Sequence, residues 1–253
     1  MKINTVKQRM LEGKPAIGIV SVSGSPLMAE ALSYAGFDFV LLDNQHGLWN
    51  DDTSWLAFRS IISGPAVPMA RVGQNDFGAI GRLLDRGALG LVVPMVESVE
   101  QARAAANAVR YPPQGNRSYG PILAQYHGGD YDSWIDHEVF LAVQIESAKA
   151  VEYVEDILAV DGVDGCWIGP LDLARTMGVD LRTMEGTRAH EQAILHVLDA
   201  CRATRKIPGI HGLTTADAHR RLEQGFLFVT AGVDMALLSN GAQDALRQLG
   251  RLP

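Results

Sequence analysis

Eight short apolar runs alternate with helical patterns along this chain, and that alternation constrains the fold more than any other feature. The runs cover residues 16–22, 38–42, 67–72, 90–95, 140–145, 162–168, 207–211 and 226–230. They are apolar or β-branched almost throughout, as strands buried on both faces must be. Helical patterns fall between them at 29–34, 77–85, 99–109, 151–158, 190–204 and 216–224. Gly36, Gly87 and Gly225 follow helical stretches, where glycine accepts the left-handed backbone that ends a helix. Strands alternating with helices mark βαβ units and an α/β fold. Eight units in 253 residues predict a (β/α)8 TIM barrel, with a doubly wound open sheet as the other arrangement. No break in composition divides the chain, so residues 1–253 are expected to form a single barrel domain.

Two segments depart from this rhythm. Residues 111–138 carry prolines, glycines, tyrosines and a tryptophan without a strand or helix period. A loop of that length in a compact domain usually serves function or meets a partner. Residues 241–252 read as a final helix, with Ala242, Ala245, Leu246 and Leu249 at helical spacing, packing on its own barrel or on a neighbour.

The net charge of −7 argues against nucleic acid or an anionic membrane as the main partner, since either needs clustered Lys and Arg. The two cysteines, Cys166 and Cys201, form neither a zinc motif nor a disulfide framework. Without a signal-peptide pattern or an apolar stretch of membrane-spanning length, a cytoplasmic protein is expected.

Catalysis in such a barrel takes place at the C-terminal ends of the strands. Here those ends are polar. The second run delivers Asp43-Asn44-Gln45-His46-Gly47, the third Arg71, the fifth Gln144 and Glu146, the sixth Gly169-Pro170-Leu171-Asp172, and the seventh His211. Glu146 and Asp172 would stand one strand apart, two hard oxygen ligands for a divalent cation whose other positions go to substrate and water. The structural reading is equally simple: Asp caps helices well, and Glu suits a first turn. His46 reads as a surface histidine or a proton-transfer group. Arg71 reads as an ion-pair partner of Asp43 or Glu146, or as a fixed charge for a carboxylate or enolate oxygen. Gln144 is a ligand contact or a barrel-filling amide, and His211 suits the core or rim. The turn at Gly169 and Leu171 is one where backbone N–H groups can meet an anion. The five lysines (Lys2, Lys7, Lys14, Lys149 and Lys206) all lie away from the strand ends, so carbonyl chemistry here would rely on a metal.

With these residues in place, the chain resembles the HpcH/HpaI aldolase family, the metal-dependent class II pyruvate aldolases. The likeness rests on residues 37–47; on Leu83-Leu84-Asp85-Arg86-Gly87-Ala88 with Val93-Pro94-Met95-Val96; on residues 110–117; and on Gln144-Ile145-Glu146 followed by 159–165 and 169–173. It implies a barrel of the phosphoenolpyruvate/pyruvate type. It also implies Glu146 and Asp172 as ligands of Mg2+ or Mn2+, with Co2+ or Zn2+ as further candidates. Arg71 would stabilise an enolate, His46 would move protons, and Gly169, Leu171 and Gln144 would hold a 2-keto acid. Asp85 matches a family aspartate associated with the histidine, and by sequence it closes a helix away from its own barrel mouth, which implies action across a subunit interface. The implied activity is reversible aldol cleavage of 4-hydroxy-2-keto acids to pyruvate or hydroxypyruvate plus an aldehyde. The aldehyde would be met by the 111–138 segment and a neighbouring subunit. The implied assembly is a homo-oligomer, commonly a hexamer with exchanged C-terminal helices. Gln45 replaces a glutamate common in the family, and Arg117-Ser118 replaces Arg-Gly; both variants resemble a hydroxy-ketoacid aldolase branch. Oxaloacetate decarboxylation, acyl-coenzyme A lysis and keto-acid binding without catalysis are the other readings of the same residues.

Overall fold

The structure, a computed structural model, describes residues 3–251; Lys2 and Leu252, the end of the expected last helix, lie outside them. The chain opens with α1 (Thr5–Leu11), β1 (Ala16–Ser21), α2 (Pro26–Tyr34), β2 (Phe39–Asp43), α3 (Asp51–Ile61) and β3 (Val67–Arg71). It continues through α4 (Phe77–Arg86), β4 (Gly90–Val93) and α5 (Val99–Val109). After two 3-10 turns come α6 (Ile135–Glu138), β5 (Phe140–Ile145), α7 (Ala148–Glu152), α8 (Val154–Leu158) and β6 (Gly165–Ile168). The last third holds α9 (Pro170–Thr176), α10 (Met184–Thr204), β7 (Gly209–His211), α11 (Thr215–Gln224), β8 (Phe228–Val233) and α12 (Asp234–Gln248). The strands pair in sequence order, all parallel, and β8 returns to β1 through Ala16↔Phe228 and Ile17↔Val229. That closure selects the barrel over the open sheet.

Aromatic rings close the lower end of the barrel. Phe39, Phe140 and Phe228 begin β2, β5 and β8; Phe228 stacks on Phe39 at 4.5 Å and meets Phe140 edge-on at 5.0 Å. Glycine at position 18 makes room for this layer, since a Cβ there would lie 2.2 Å from the Phe39 ring. A substrate can therefore approach only from the opposite end, where the strands finish.

Helices α1 and α9 lie outside the expected stretches, α10 starts at Met184 rather than at residue 190, and three further elements differ. Helix α3 was hidden by its polar start, Asn50-Asp51-Asp52-Thr53, which is a capping box: Asn50 Oδ1 accepts from Thr53 N, and Thr53 Oγ1 from Asn50 N. The last helix starts at Asp234, directly after β8, rather than at residue 241. The 111–138 segment contains short helical turns and joins the end of α5 to the start of β5, which puts it at the closed end of its own barrel. Within one chain it does not reach the mouth.

Asp234 anchors the last helix. It is 1% exposed and accepts hydrogen bonds from Ser21 Oγ (2.8 Å), Val22 N (3.0 Å) and Ser23 N (3.2 Å). Charge-assisted bonds of this kind contribute about 1.5–3 kcal/mol each, and their loss strands buried donors. Asp234→Ala is therefore expected to cost roughly 2–4 kcal/mol, read as a lower urea midpoint with an unchanged m-value. An unchanged midpoint would show that the carboxylate contributes nothing to the fold. Beyond Asp234 none of the α12 residues is buried, and Met235, Leu237, Leu238, Leu246 and Leu249 leave an apolar surface in the open. Among the described residues no helix is long and apolar enough to cross a membrane.

Candidate active site at the barrel mouth

Parallel register brings the first pair together. Asp43 and Arg71 end neighbouring strands and are direct partners in the ladder. Both are buried, and the guanidinium grips the carboxylate with two bonds, Nε to Oδ1 at 2.9 Å and Nη2 to Oδ2 at 2.5 Å. Asp43 Oδ1 also accepts from Gln45 N (3.0 Å) and His46 N (3.2 Å). Burial pushes the Asp43 carboxyl upward, but the Arg71 fork and these N–H groups outweigh it and hold the group below the usual carboxylate range. Of the two partners open to Arg71, the structure selects Asp43. The Trp167 ring lies under the same guanidinium, 5.4 Å from its carbon to the ring centre.

Glu146 follows β5 and is 2% exposed. Its Oε1 accepts from Met95 N at 2.9 Å, and its Oε2 from Gln144 Nε2 at 2.5 Å. Met95 has φ 55°, a left-handed backbone uncommon outside glycine, and this turn aims its N–H at the carboxylate. Gly169 lies against the same group: a Cβ there would stand 2.8 Å from Glu146 Oε2. Asp172 is exposed, in the first turn of α9, and makes no capping bond; Gly169 occupies the N-cap. Ser147, not Glu146, caps α7. The helix-capping reading of both carboxylates thus finds no support. Gly169 donates its own N–H to Ile145 O at 3.3 Å, so the first-turn N–H groups of Leu171 and Asp172 are the donors that α9 leaves without an intrahelical partner.

A cavity of about 180 Å³ opens between these elements, lined by Asp43, His46, Arg71, Gln144, Leu171 and Asp172 on its polar sides. It is smaller than the roughly 300–1,000 Å³ of drug-sized sites, which suits a short acid. Val20, Val22 and Val233 form its apolar wall, and Trp167 and His211 complete it. Glu146 stands just behind the lining. Asp85 is not brought to this site: it ends α4 at the other end of the barrel, where it pairs with buried Arg117 at 2.7 Å. Arg117 in turn lies over the rings of Tyr111 and Tyr131. Asp43 and Trp167 complete the site beyond the residues singled out from sequence as catalytic or binding. Asp43 was visible as an acid ending a strand, whereas an aromatic residue inside a strand reads as core.

The donor set fits a divalent cation. Burial, and then the nearby charge of Asp172, push Glu146 up to about 7 against the Met95 N–H, so its ionised form lacks compensation that a cation would supply. Gln144 Oε1 is a buried acceptor without a hydrogen-bond partner. Among the described residues no cluster of three or more His, Cys, Asp or Glu side chains forms a metal cage, so most coordination positions would fall to other oxygen atoms.

The raised Glu146 carries a pH signature. Unfolded, the group ionises near 4.5, while in the metal-free fold it holds its proton to about 7. Across that window the folded state binds more protons, so stability is full below it and falls as pH rises through it, by on the order of 3 kcal/mol. Glu146→Gln is expected to flatten this slope in chemical denaturation of metal-free protein. A slope of equal size in the variant would move the effect to another group.

The family model for HpcH/HpaI aldolase/citrate lyase matches residues 17–241. The chain belongs to this family. A 4-hydroxy-2-oxo-heptane-1,7-dioate aldolase of Salmonella dublin is 38% identical over 98% of the chain and 95% of its own length. Among solved structures, an HpcH/HpaI aldolase/citrate lyase family protein from Burkholderia cenocepacia J2315 superposes with a TM-score of 0.90 at 31% identity, covering 97% of this chain and 99% of its own. Macrophomate synthase superposes with a TM-score of 0.85 at 26% identity, covering 97% of this chain and 88% of its own.

Proposed function

We propose that this chain is a divalent-metal-dependent aldolase that reversibly cleaves 4-hydroxy-2-keto acids to pyruvate or hydroxypyruvate and an aldehyde. One observation carries the reading: a small cavity at the barrel mouth joins a locked Asp43–Arg71 pair, His46, Gln144 and Asp172 in front of buried Glu146. The name of the Salmonella relative supports it.

Glu146 and Asp172 would hold the metal, Mg2+ or Mn2+ before Co2+ or Zn2+. When bound, it supplies Lewis-acid stabilisation of negative charge on the keto acid. Arg71, fixed by Asp43, presents a preorganised positive charge to the keto oxygen as the enolate develops. Gln144 and the first-turn N–H of Leu171, beside Gly169, bind and orient the acid. His46 stands exposed at the rim and takes the C4 hydroxyl proton in cleavage. The C3–C4 bond then breaks, its electron pair passes to the enolate, and the proton held by His46 returns through water to C3, which releases the keto acid and restores the imidazole. Addition runs the same path in reverse. Among the described residues Arg71 is the sole lysine or arginine lining the cavity, so no cluster of basic side chains favours a nucleotide-bearing thioester.

The apolar surface of α12 suits packing on, or exchange with, another copy in a homo-oligomer, for which we favour a hexamer. In such an assembly Asp85 and the 111–138 segment of a neighbour would approach the mouth and meet the aldehyde. Free, buried Cys166 and Cys201 are compatible with a reducing cytoplasm.

The test is proton exchange. Metal-stripped protein is incubated in D2O with pyruvate or hydroxypyruvate, with and without Mg2+ or Mn2+, and loss of the C3 proton signal is followed by NMR. Exchange that requires added metal is expected. Absence of exchange with both acids and both metals would sink the reading.

A further inference from the structure

The cavity contains a group that the mechanism does not use. His211 ends β7, and in the closed strand order β7 faces β3, so His211 stands across the barrel from Arg71. The oxygens of a bound keto acid find their partners on β3, β5 and β6, in Arg71, Gln144 and the turn before Asp172. Its carbon end is left to the other wall, where Val20, Val22 and Val233 offer no hydrogen bond. His211 is the polar exception on that wall. Its Nδ1 is bound to buried Thr230 Oγ1 at 2.8 Å, and the Trp167 ring stands edge-on at 5.7 Å, so the imidazole is held on two sides. No hydrogen bond is made by its Nε2 among the described residues.

We propose that His211 is a specificity-determining residue: its Nε2 hydrogen-bonds a hydroxyl on C3 of the keto acid, so that 3-hydroxylated acids such as hydroxypyruvate bind in preference to pyruvate. This deepens the aldolase reading and rests on it for the placement of the acid. A hydroxyl both donates and accepts, so it satisfies either tautomer that Thr230 imposes. Two features argue against a role as base. Burial, and then the charge of Arg71, lower His211 to about 4, far from the value a base needs near neutral pH. Its Nδ1 has Thr230 as partner rather than a carboxylate that would raise its basicity.

The experiment is calorimetric titration of the metal-loaded protein with hydroxypyruvate and with pyruvate, for the unaltered chain, His211→Leu and His211→Asn. Tighter binding of hydroxypyruvate by about tenfold is expected, from one good hydrogen bond in a dry pocket. His211→Leu should lose that preference while changing pyruvate affinity less than about threefold, and His211→Asn should recover part of it. Equal affinities in the unaltered protein, or equal losses for both acids in His211→Leu, would overturn the assignment. The C3 exchange experiment reads the aldolase function separately: exchange without a binding preference rejects His211 alone, whereas a preference without exchange rejects the aldolase.

Discussion

Replacing Glu146 with alanine is expected to lower metal-dependent C3 exchange by at least about a thousandfold, since a cation carries much of the charge stabilisation an enolate needs. The informative variant is Glu146→Gln. Glutamine keeps the shape and still offers an oxygen to Met95 N, so the backbone turn at Met95 stays in place. It removes the charge, and one carboxylate at Asp172 makes a poor site for a hard dication. Metal affinity by calorimetry should fall with exchange, while the metal-free protein above pH 7 becomes no less stable, because an ionised group costly to bury has gone. Asp172→Ala should lose metal in the same way at little cost in stability, since its side chain is exposed and caps nothing. Full exchange and metal affinity in Glu146→Gln would refute the assignment of this carboxylate.

Much of the barrel is legible in the chain because parallel strands buried on both faces must be apolar nearly throughout, and 140–145 coincides with β5 to the residue. Legibility fails where polarity has a local cause. The acids that begin α3 serve its N-terminus and look like a loop, and Thr230-Ala231-Gly232 interrupts the apolar pattern before β8 ends. At the site, residues such as Arg71 and Glu146 are conspicuous because each is a charge at the end of an apolar run. What sequence leaves open is register. Whether Arg71 pairs with Asp43 or Glu146 depends on which strand positions stand side by side, and only the ladder, with Asp43 directly opposite Arg71, decides it. Trp167 stays hidden for the same reason: it is a core aromatic until its pairing with Gln144 shows it facing the cavity. Asp85 is the opposite case. The family resemblance marks it, yet its own fold gives it Arg117 and a place at the closed end, so any catalytic part for it requires a second copy.

Arg71→Lys is expected to lower kcat by roughly a hundred- to a thousandfold with a smaller change in KM, the loss typical of removing one preorganised charge from the transition state. Lysine keeps the charge, but it lacks the planar fork that meets both Asp43 oxygens and still presents a face to the ring of Trp167. Arg71→Met should separate fold from chemistry. With the guanidinium gone, Asp43 remains 2% exposed with only the Gln45 and His46 N–H groups as partners. Breaking a buried pair on one side costs about 3–5 kcal/mol, because the surviving charge stays buried. The pH dependence then changes sign. In the unaltered protein Asp43 lies below its ordinary value, so its contribution is present at neutral pH and lost as pH falls through the acid range. In Arg71→Met burial is opposed only by those two N–H groups, the folded value is expected to rise above the unfolded one, and stability then falls as pH rises instead. Asp43→Asn added to Arg71→Met should remove that penalty, restoring the urea midpoint and leaving the protein inactive. Activity that returned with stability would make the pair a structural clamp and return the enolate's stabilisation to the metal alone.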